Sequence, residues 1–133
     1  MKTILMVFLI FAPVLTRIQL ARAQFMYTSD NETITIIGYT GSGGTVTIPD
    51  TIDGLPVTSI GNGAFSGCTS LTSVAIGDGV TNIGNHAFYF CYALTNATLG
   101  NSVASIGAGA FEITGLASFT IPNSVTRIGD AAF

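Results

Sequence analysis

The apolar residues of this chain recur with a nearly constant period. The hexapeptide Ile-Gly-x-x-Ala-Phe, in which x is any residue, occurs four times and ends at Phe65, Phe88, Phe111 and Phe133. The steps between these phenylalanines are 23, 23 and 22 residues. A fixed step in the low twenties is typical of a solenoid of stacked coils. The pattern therefore predicts a repeat protein of about four coils.

We refer to the repeats at residues 65–87, 88–110 and 111–132 as coils A, B and C. Other apolar residues recur at fixed offsets within them, and in coil A these are Leu71, Val74, Ile76, Val80 and Ile83. The spacing predicts a short strand at about residues 72–76 and a second short extended run after a turn. The hexapeptide predicts a brief helical turn. One coil cannot bury its apolar face alone, so the coils are expected to stack.

A segment without the repeat precedes the coils and is predicted to cap them. Residues 24–45 contain two strand-forming runs separated by Asp30-Asn31, a pair typical of a tight hairpin turn. The open apolar end of a solenoid needs such a cover. We therefore predict an N-terminal β cap at 24–45 and a solenoid at 46–133. Positive φ angles are expected in the turn that ends the cap, at Gly41, Gly43 and Gly44.

The first 23 residues have the layout of a secretory signal peptide. After a positively charged start, an apolar run extends from Ile4 to Leu15, and residues 21–23 (Ala-Arg-Ala) offer small side chains before a cleavage site. The apolar run is too short for a bilayer span, which needs about 20 residues. The alternative is an uncleaved anchor, which would have to bury two arginines. We predict a signal peptide at 1–23 and a secreted or cell-surface protein.

Charged residues are few, and most of the positive ones lie in the predicted signal peptide. Only 8% of the residues are charged against 48% hydrophobic, and the formal net charge is −3. Removal of residues 1–23 leaves one arginine against seven acidic residues, a net charge of −6. Such a surface lacks the basic patches that bind nucleic acid or anionic membranes. We therefore expect no nucleic-acid partner and no stable membrane span after signal removal.

Two further motifs recur beside the hexapeptides. Cys-x-x-Leu begins at Cys68 and Cys91, and Ile-Pro begins at Ile48 and Ile121. Together these motifs resemble the BspA-type leucine-rich repeats of bacterial surface proteins and of some protists. The resemblance implies a leucine-rich-repeat solenoid that is mainly β, with short parallel strands stacked coil on coil, brief helical turns and a β-hairpin cap. It also implies an exported module that binds proteins.

Coil C departs from this pattern. It is one residue shorter than the others and has no cysteine, so its turn is expected to differ locally. Gly77 and Gly100 also stand where the family often has proline. Because the sequence ends within a coil at Phe133, we expect the last coil to expose apolar side chains. The 24–133 segment is therefore predicted to self-associate.

The two cysteines occupy the same place in adjacent coils. Cys68 and Cys91 are 23 residues apart, and neighbouring coils stack about 4.8 Å apart. That spacing permits a disulfide, which an exported protein can form. The family resemblance instead favours two buried thiols in a column of cysteines. The sequence leaves both alternatives open.

No residue set is typical of a catalytic, cofactor or metal site. His86 is the only histidine, and neither cysteine lies at zinc-ligand spacing from it. The seven carboxylates are scattered, and most flank glycine or turns, where capping is the expected role. Asn31 and Asn96 match the N-glycosylation acceptor, and Asn31 lies in a predicted turn. The sequence thus favours a protein that is not an enzyme and needs no cofactor.

The variable residues between the repeated positions are the candidates for partner contacts. Coil B carries Tyr89, Phe90 and Tyr92 where coil A has Ser, Gly and Thr, and exposed aromatic residues often mark contacts. These rings could instead pack over neighbouring coils. Outward polar columns supply four more candidates, Asn82, Asn96, Thr98 and Arg127. Those residues could instead only solvate the sheet.

Two functional hypotheses follow from the sequence. The leading one is a non-enzymatic extracellular protein-binding or adhesion module, with host matrix or cell-surface proteins as partners. The alternative is a purely structural spacer, or a fragment of a larger surface protein whose repeats hold other parts apart. Substitution of Tyr89, Phe90 and Tyr92 distinguishes them, because unchanged binding to host matrix proteins or cells, with the fold intact, would exclude these residues as the contact site.

Overall fold

The structure is a computed structural model that describes residues 3–5 and 24–133. The predicted signal peptide at 1–23 lies outside the described residues, apart from the backbone of residues 3–5. The strands are β1 (Thr3–Leu5), β2 (Phe25–Ser29), β3 (Ile34–Tyr39), β4 (Gly44–Thr47), β5 (Thr51–Ile52), β6 (Leu55–Ile60), β7 (Leu71–Ala75), β8 (Asn82–Ile83), β9 (Asn96–Thr98), β10 (Ser105–Ile106) and β11 (Arg127–Ile128). The predicted strand at 72–76 corresponds to β7.

Coils A and B each contribute one strand to each of two sheets, and coil C contributes β11 to the larger one. The larger sheet has the order β1-β2-β3-β6-β8-β10-β11, with β5 added by antiparallel pairing to β6. The smaller sheet has the order β4-β7-β9. From β3 onward, the strands of successive coils pair in parallel. This arrangement confirms the predicted mainly-β solenoid, in which each coil lies directly beside the next.

The antiparallel pair β2 and β3 forms the predicted hairpin at the start of the solenoid. Its turn contains Asn31 with φ of 75°, and the Asp30 carboxylate accepts hydrogen bonds from the backbone N–H groups of Thr33 at 2.7 Å and Glu32 at 3.0 Å. These bonds favour the charged carboxylate and hold the pKa of Asp30 below its ordinary value. The sequence Asp-Asn thus specifies this turn through local hydrogen bonds.

A column of stacked aromatic rings runs through the core. The Phe65 and Phe88 ring centroids are 4.9 Å apart, and those of Phe88 and Phe111 are 5.0 Å apart, with interplanar angles of 15° and 6°. Tyr39 extends the stack before Phe65, and Phe133 extends it after Phe111. The ring spacing equals that of stacked coils, so the hexapeptide phenylalanine fixes the register. Each buried ring contributes about 2 kcal/mol from burial alone.

The brief helical turn expected at each hexapeptide is absent, and across the described part of the chain no helix forms. There is accordingly no helix in that part that could span a membrane. The segment makes successive tight turns, in which for example the Ala64 N–H donates to the Gly61 carbonyl at 3.3 Å. A left-handed residue interrupts helical geometry. That residue is the fourth of each hexapeptide, with φ of 64° at Gly63, 55° at His86, 60° at Gly109 and 52° at Ala131.

The glycine-rich turn that ends the cap is only partly as expected. Gly43 and Gly44 have φ angles of 90° and 73°. Gly41 lacks a positive φ, so the expectation for that residue is wrong. Glycine serves a different purpose there, because a Cβ on Gly41 would collide with the Tyr39 ring.

Coil C interrupts the smaller sheet, as its missing residue predicts. The sheet ends at β9, and residues 116–121 form no strand against it. Among the apolar residues of coil C, Leu116 and Phe119 are half-buried, whereas Ile121 and Ile128 are exposed. The corresponding positions in coils A and B lie in or against the core. The solenoid is therefore most regular from coil A through coil B.

Candidate protein-binding site

Residues 89–92, which we call the aromatic turn, present an exposed apolar surface on coil B. Phe90 is 43% exposed and Tyr92 is 57% exposed, while Tyr89 is half-buried. The rings touch one another, with centroid distances of 5.5 Å between Tyr89 and Phe90 and 6.3 Å between Phe90 and Tyr92. His86 adds an edge-on contact to Tyr89 at 5.4 Å. The structure thus gathers the three predicted aromatic residues into one cluster, two of whose rings face solvent.

The backbone of Phe90 is unusual for so large a residue. Its φ is 63°, in the left-handed region that costs a non-glycine residue about 1–2 kcal/mol. The equivalent position of coil A is Gly67, with φ of 74°, so the repeat itself requires this conformation. Coil B therefore places a phenylalanine where the fold prefers glycine, and that side chain is exposed. Core packing does not account for this choice.

Ile113 shares this position in coil C and was missed as a candidate. Its φ is 56° and its side chain is 47% exposed. Phe90 and Ile113 both stand two residues after the hexapeptide phenylalanine. That shared offset is the sequence signal that would have identified Ile113. The apolar surface of the aromatic turn therefore continues onto the neighbouring coil.

Hydrogen bonds hold the aromatic turn between its neighbours. The Gly67 N–H donates to the Tyr89 carbonyl at 2.8 Å, and the Phe90 N–H donates to the Glu112 carbonyl at 3.1 Å. Both bonds join backbone atoms, so they do not depend on the aromatic side chains. The rings consequently project from a backbone that is fixed on both sides.

The four polar candidates lie on two different sheets. Asn82 on β8 and Arg127 on β11 align through Ser105, which pairs with both, on the larger sheet. Asn96 and Thr98 lie on β9 of the smaller sheet, where the Asn96 amide donates to the Ser73 hydroxyl at 3.2 Å. All four side chains are exposed. The strand pairing aligns Asn82 with Arg127 in one column, whereas the columns of Asn96 and Thr98 stop at β9 and do not continue into coil C. The structure does not bring these residues into one site with the aromatic turn.

A groove opens beside β9, where coil C leaves the smaller sheet. Its volume is about 360 Å³, and Asn96 and Thr98 face Ser118, Thr120 and Pro122 across it. The groove exists because residues 116–121 form no strand against β9. Two of the predicted polar contacts therefore line a cleft of mixed character, whose apolar lining includes Leu99 and Phe119.

A family comparison identifies the repeats. The model of the BspA-type leucine-rich repeat region matches residues 39–133 with six copies. The chain belongs to this family. The match begins at Tyr39, the first ring of the aromatic column, so the family pattern includes the coil that follows the hairpin. A comparison with curated proteins finds no significant match.

Solved structures of leucine-rich repeat proteins resemble this fold. A leucine-rich repeat protein from T. pallidum is 32% identical, with a TM-score of 0.71 over 82% of this chain, and the chain spans 63% of its length. One from Bacteroides capillosus is 27% identical, with a TM-score of 0.71 over 81% of this chain and 89% of that protein. A third, from Bacteroides ovatus, is 28% identical, with a TM-score of 0.63 over 83% of this chain and 37% of that protein.

The two cysteines of this BspA-type chain are free thiols on adjacent coils. Cys91 is buried and Cys68 is half-buried, and the Cys91 thiol donates to the Phe65 carbonyl at 3.0 Å. The interaction between the two thiols lowers the pKa of Cys68 and raises the pKa of Cys91. The structure thus brings together the pair that the 23-residue spacing predicts.

The remaining residues with chemical potential are dispersed. His86 is exposed, and its imidazole lies over Gly109. Over residues 24–133, no three His, Cys, Asp or Glu side chains come close enough to share a metal ion. Asn31 lies at the exposed tip of the hairpin, whereas Asn96 lies on β9. Asn31 therefore has the more accessible glycosylation sequence.

Proposed function

We propose that this protein is a non-enzymatic, extracellular protein-binding or adhesion module whose main contact surface is the aromatic turn. The observation that supports the proposal is Phe90, an exposed aromatic residue held in a left-handed conformation where coil A has glycine. Its backbone strain brings no gain in core packing. A partner that covered the ring would supply the missing burial.

The chemistry of the aromatic turn suits a protein partner. Tyrosine and phenylalanine are enriched in the centres of protein interfaces, since they offer large apolar area with few rotatable bonds. The Tyr92 hydroxyl can add a hydrogen bond at the edge of such a contact. With its net charge of −6, the 24–133 segment favours a neutral or basic protein surface over nucleic acid.

Family membership and the predicted signal peptide support an extracellular location. BspA-type repeat proteins are typically secreted or attached to the cell surface. A host matrix protein or a cell-surface protein is then the expected class of partner. Asn82, Arg127, Asn96 and Thr98 are proposed as secondary contacts, and they lie outside the aromatic turn.

Replacing the aromatic turn by the residues of coil A tests the proposal. The variant Tyr89→Ser/Phe90→Gly/Tyr92→Thr keeps the backbone geometry that Gly67 already shows. Binding to immobilised extracellular-matrix extract and to cultured cells is expected to fall by more than about tenfold, as for loss of an aromatic hot spot. The matched control is Thr81→Ala, an exposed residue outside the proposed contacts, because Ala104 holds the equivalent position of coil B.

The outcome separates the two functional classes. Loss of binding in the triple variant, with the unfolding transition and the binding of the control unchanged, supports a binding module. Unchanged binding of a folded triple variant contradicts the proposed site. The structural-spacer hypothesis predicts that neither variant alters any measured contact.

A second candidate function is self-association through the last coil, which exposes Ile121, Ile128 and Phe133. Phe133 stacks on Phe111 at a centroid distance of 5.6 Å and is 51% exposed, so its ring is accessible to the apolar surface of a second copy. Light scattering over a wide concentration range tests this. Growth in mass with concentration that Phe133→Ser abolishes supports self-association, and a constant monomer mass contradicts it.

A further inference from the structure

We propose that Cys68 and Cys91 form a thiol–disulfide site that takes a low-molecular-weight disulfide as its oxidant and closes into a bond between coils A and B. The two residues stand at equivalent positions of adjacent coils, and the Cys91 sulfur reaches coil A, where it lies 3.0 Å from the Phe65 carbonyl oxygen. Beside them, the Gly67 N–H donates to the Tyr89 carbonyl at 2.8 Å, so the two backbones run side by side. Neighbouring coils at this separation meet the Cα spacing that a disulfide needs.

The two thiols differ in how easily a small molecule reaches them, and this difference decides which thiol attacks first. Cys68 lines an open cavity of about 240 Å³ together with Gly67, Thr69 and Ser70 of its own turn and Ser42 of the turn that ends the cap. Cys91 is fully buried behind it. A small disulfide can therefore reach the Cys68 sulfur but not that of Cys91.

The electrostatics of the pair point the same way. The neighbouring Cys91 thiol lowers the pKa of Cys68, and burial opposes this only in part. The pKa of Cys91 is raised, first by its interaction with Cys68 and then by burial. The thiolate is the attacking form, so Cys68 is the nucleophile of the pair.

The reaction is a two-step exchange. The Cys68 thiolate attacks one sulfur of the small disulfide, forming a mixed disulfide and releasing one small thiolate, which takes up a proton. The Cys91 sulfur then loses its proton, attacks the Cys68 sulfur and releases the second small thiol. Two protein thiols are oxidised to one disulfide, and one small disulfide is reduced to two thiols.

The disulfide would constrain the backbone of the aromatic turn. Cys91 stands between Phe90 and Tyr92, and the disulfide would join it covalently to coil A. The site does not depend on the proposed binding function, because it requires only the two thiols and their cavity. If a partner does bind the aromatic turn, the disulfide would restrict the backbone that carries the rings.

Intact-protein mass spectrometry of the full chain tests the proposal. The reduced protein is treated with oxidised glutathione at neutral pH, quenched with N-ethylmaleimide and weighed, with dithiothreitol-treated protein as reference. We expect a monomer lighter by two hydrogens that takes up no maleimide, and a peptide map that joins the segments containing Cys68 and Cys91. Two maleimides on the treated protein, or a product that stops at one bound glutathione, would overturn the proposal.

Two variants check the order of the steps. Cys91→Ala is expected to stop at one glutathione on Cys68, because the resolving thiol is gone. Cys68→Ser is expected to react with glutathione disulfide and maleimide at least about tenfold more slowly than Cys91→Ala, since its remaining thiol is buried and protonated. Equal rates in the two folded variants would overturn the assignment of Cys68 as the attacking thiol. The wild-type product remains interpretable even if a variant does not fold.

Discussion

The turns of coils A and B share one backbone and carry opposite surfaces. At equivalent positions, Gly67 and Phe90 have φ angles of 74° and 63°, and each donates its N–H to a carbonyl of the following coil. Coil A fills its turn with Ser, Gly, Cys and Thr, whereas coil B has Tyr, Phe, Cys and Tyr. The repeat thus sets the path of the chain and leaves the side chains of this turn free to vary. A functional difference between coils belongs at such positions.

The largest loss of stability is expected from changes to the aromatic column beneath both turns, which the two coils share. Phe65→Ala and Phe88→Ala each remove a fully buried ring that stacks on both sides. Each should lower the free energy of unfolding by about 3–5 kcal/mol, the range for large-to-small core substitutions. Urea denaturation measures this. A loss below about 1 kcal/mol for either variant would show that the column does not support the coils.

A smaller effect on stability is expected at the left-handed position of the turn, where coil A has Gly67 and coil B has Phe90. Gly67→Phe should lower the free energy of unfolding by about 1 kcal/mol, because it adds a side chain to a strained conformation in open space. Phe90→Gly should raise it by up to about 1 kcal/mol for the opposite reason. Paired urea titrations compare the two. If Phe90→Gly destabilised the protein by as much as a core substitution, the ring would be part of the packing rather than a contact surface.

The smallest effect is expected in the hairpin cap, away from both turns. Hydrogen bonds from Thr33 and Glu32 lower the pKa of Asp30, so its carboxylate stabilises the fold above the ordinary pKa of 3.8. This contribution is lost as the pH falls through the lower pKa of the folded state. Asp30→Asn should therefore reduce the urea midpoint slightly at neutral pH and leave the midpoint unchanged in strong acid. An equal shift at both pH values would mean that the charge is not responsible.

The sequence predicted the solenoid because its signal is repeated. Every coil presents the same Ile, Ala and Phe positions, so the period and the main strand of coil A follow from a few offsets. The expected helical turn was wrong, since the pattern does not reveal that the fourth residue of each hexapeptide is left-handed. His86 and Ala131 occupy that position without being glycine, which hides the backbone requirement.

The candidate contacts were only partly predictable, because their positions depend on how each coil closes. Aromatic residues in a turn of small residues are visible in the sequence, and the structure gathers them into one cluster. The distribution of Asn82 and Asn96 over two sheets, and the exposure of Ile113, depend on how the coil closes. The cavity beside Cys68 likewise arises from contact between the cap turn and coil A, two segments that are distant in the sequence.

The most direct test of the account is to move the aromatic turn from coil B to coil A. The protein carrying Tyr89→Ser/Phe90→Gly/Tyr92→Thr receives Ser66→Tyr, Gly67→Phe and Thr69→Tyr, and its binding to the same matrix extract is measured beside that of the parent variant. A Cβ on Gly67 meets no other atom, so the new ring has room to project outward. We predict that the graft restores binding that the parent variant lacks. A folded graft that still fails to bind would contradict the claim that the side chains of this turn, on an interchangeable backbone, carry the function.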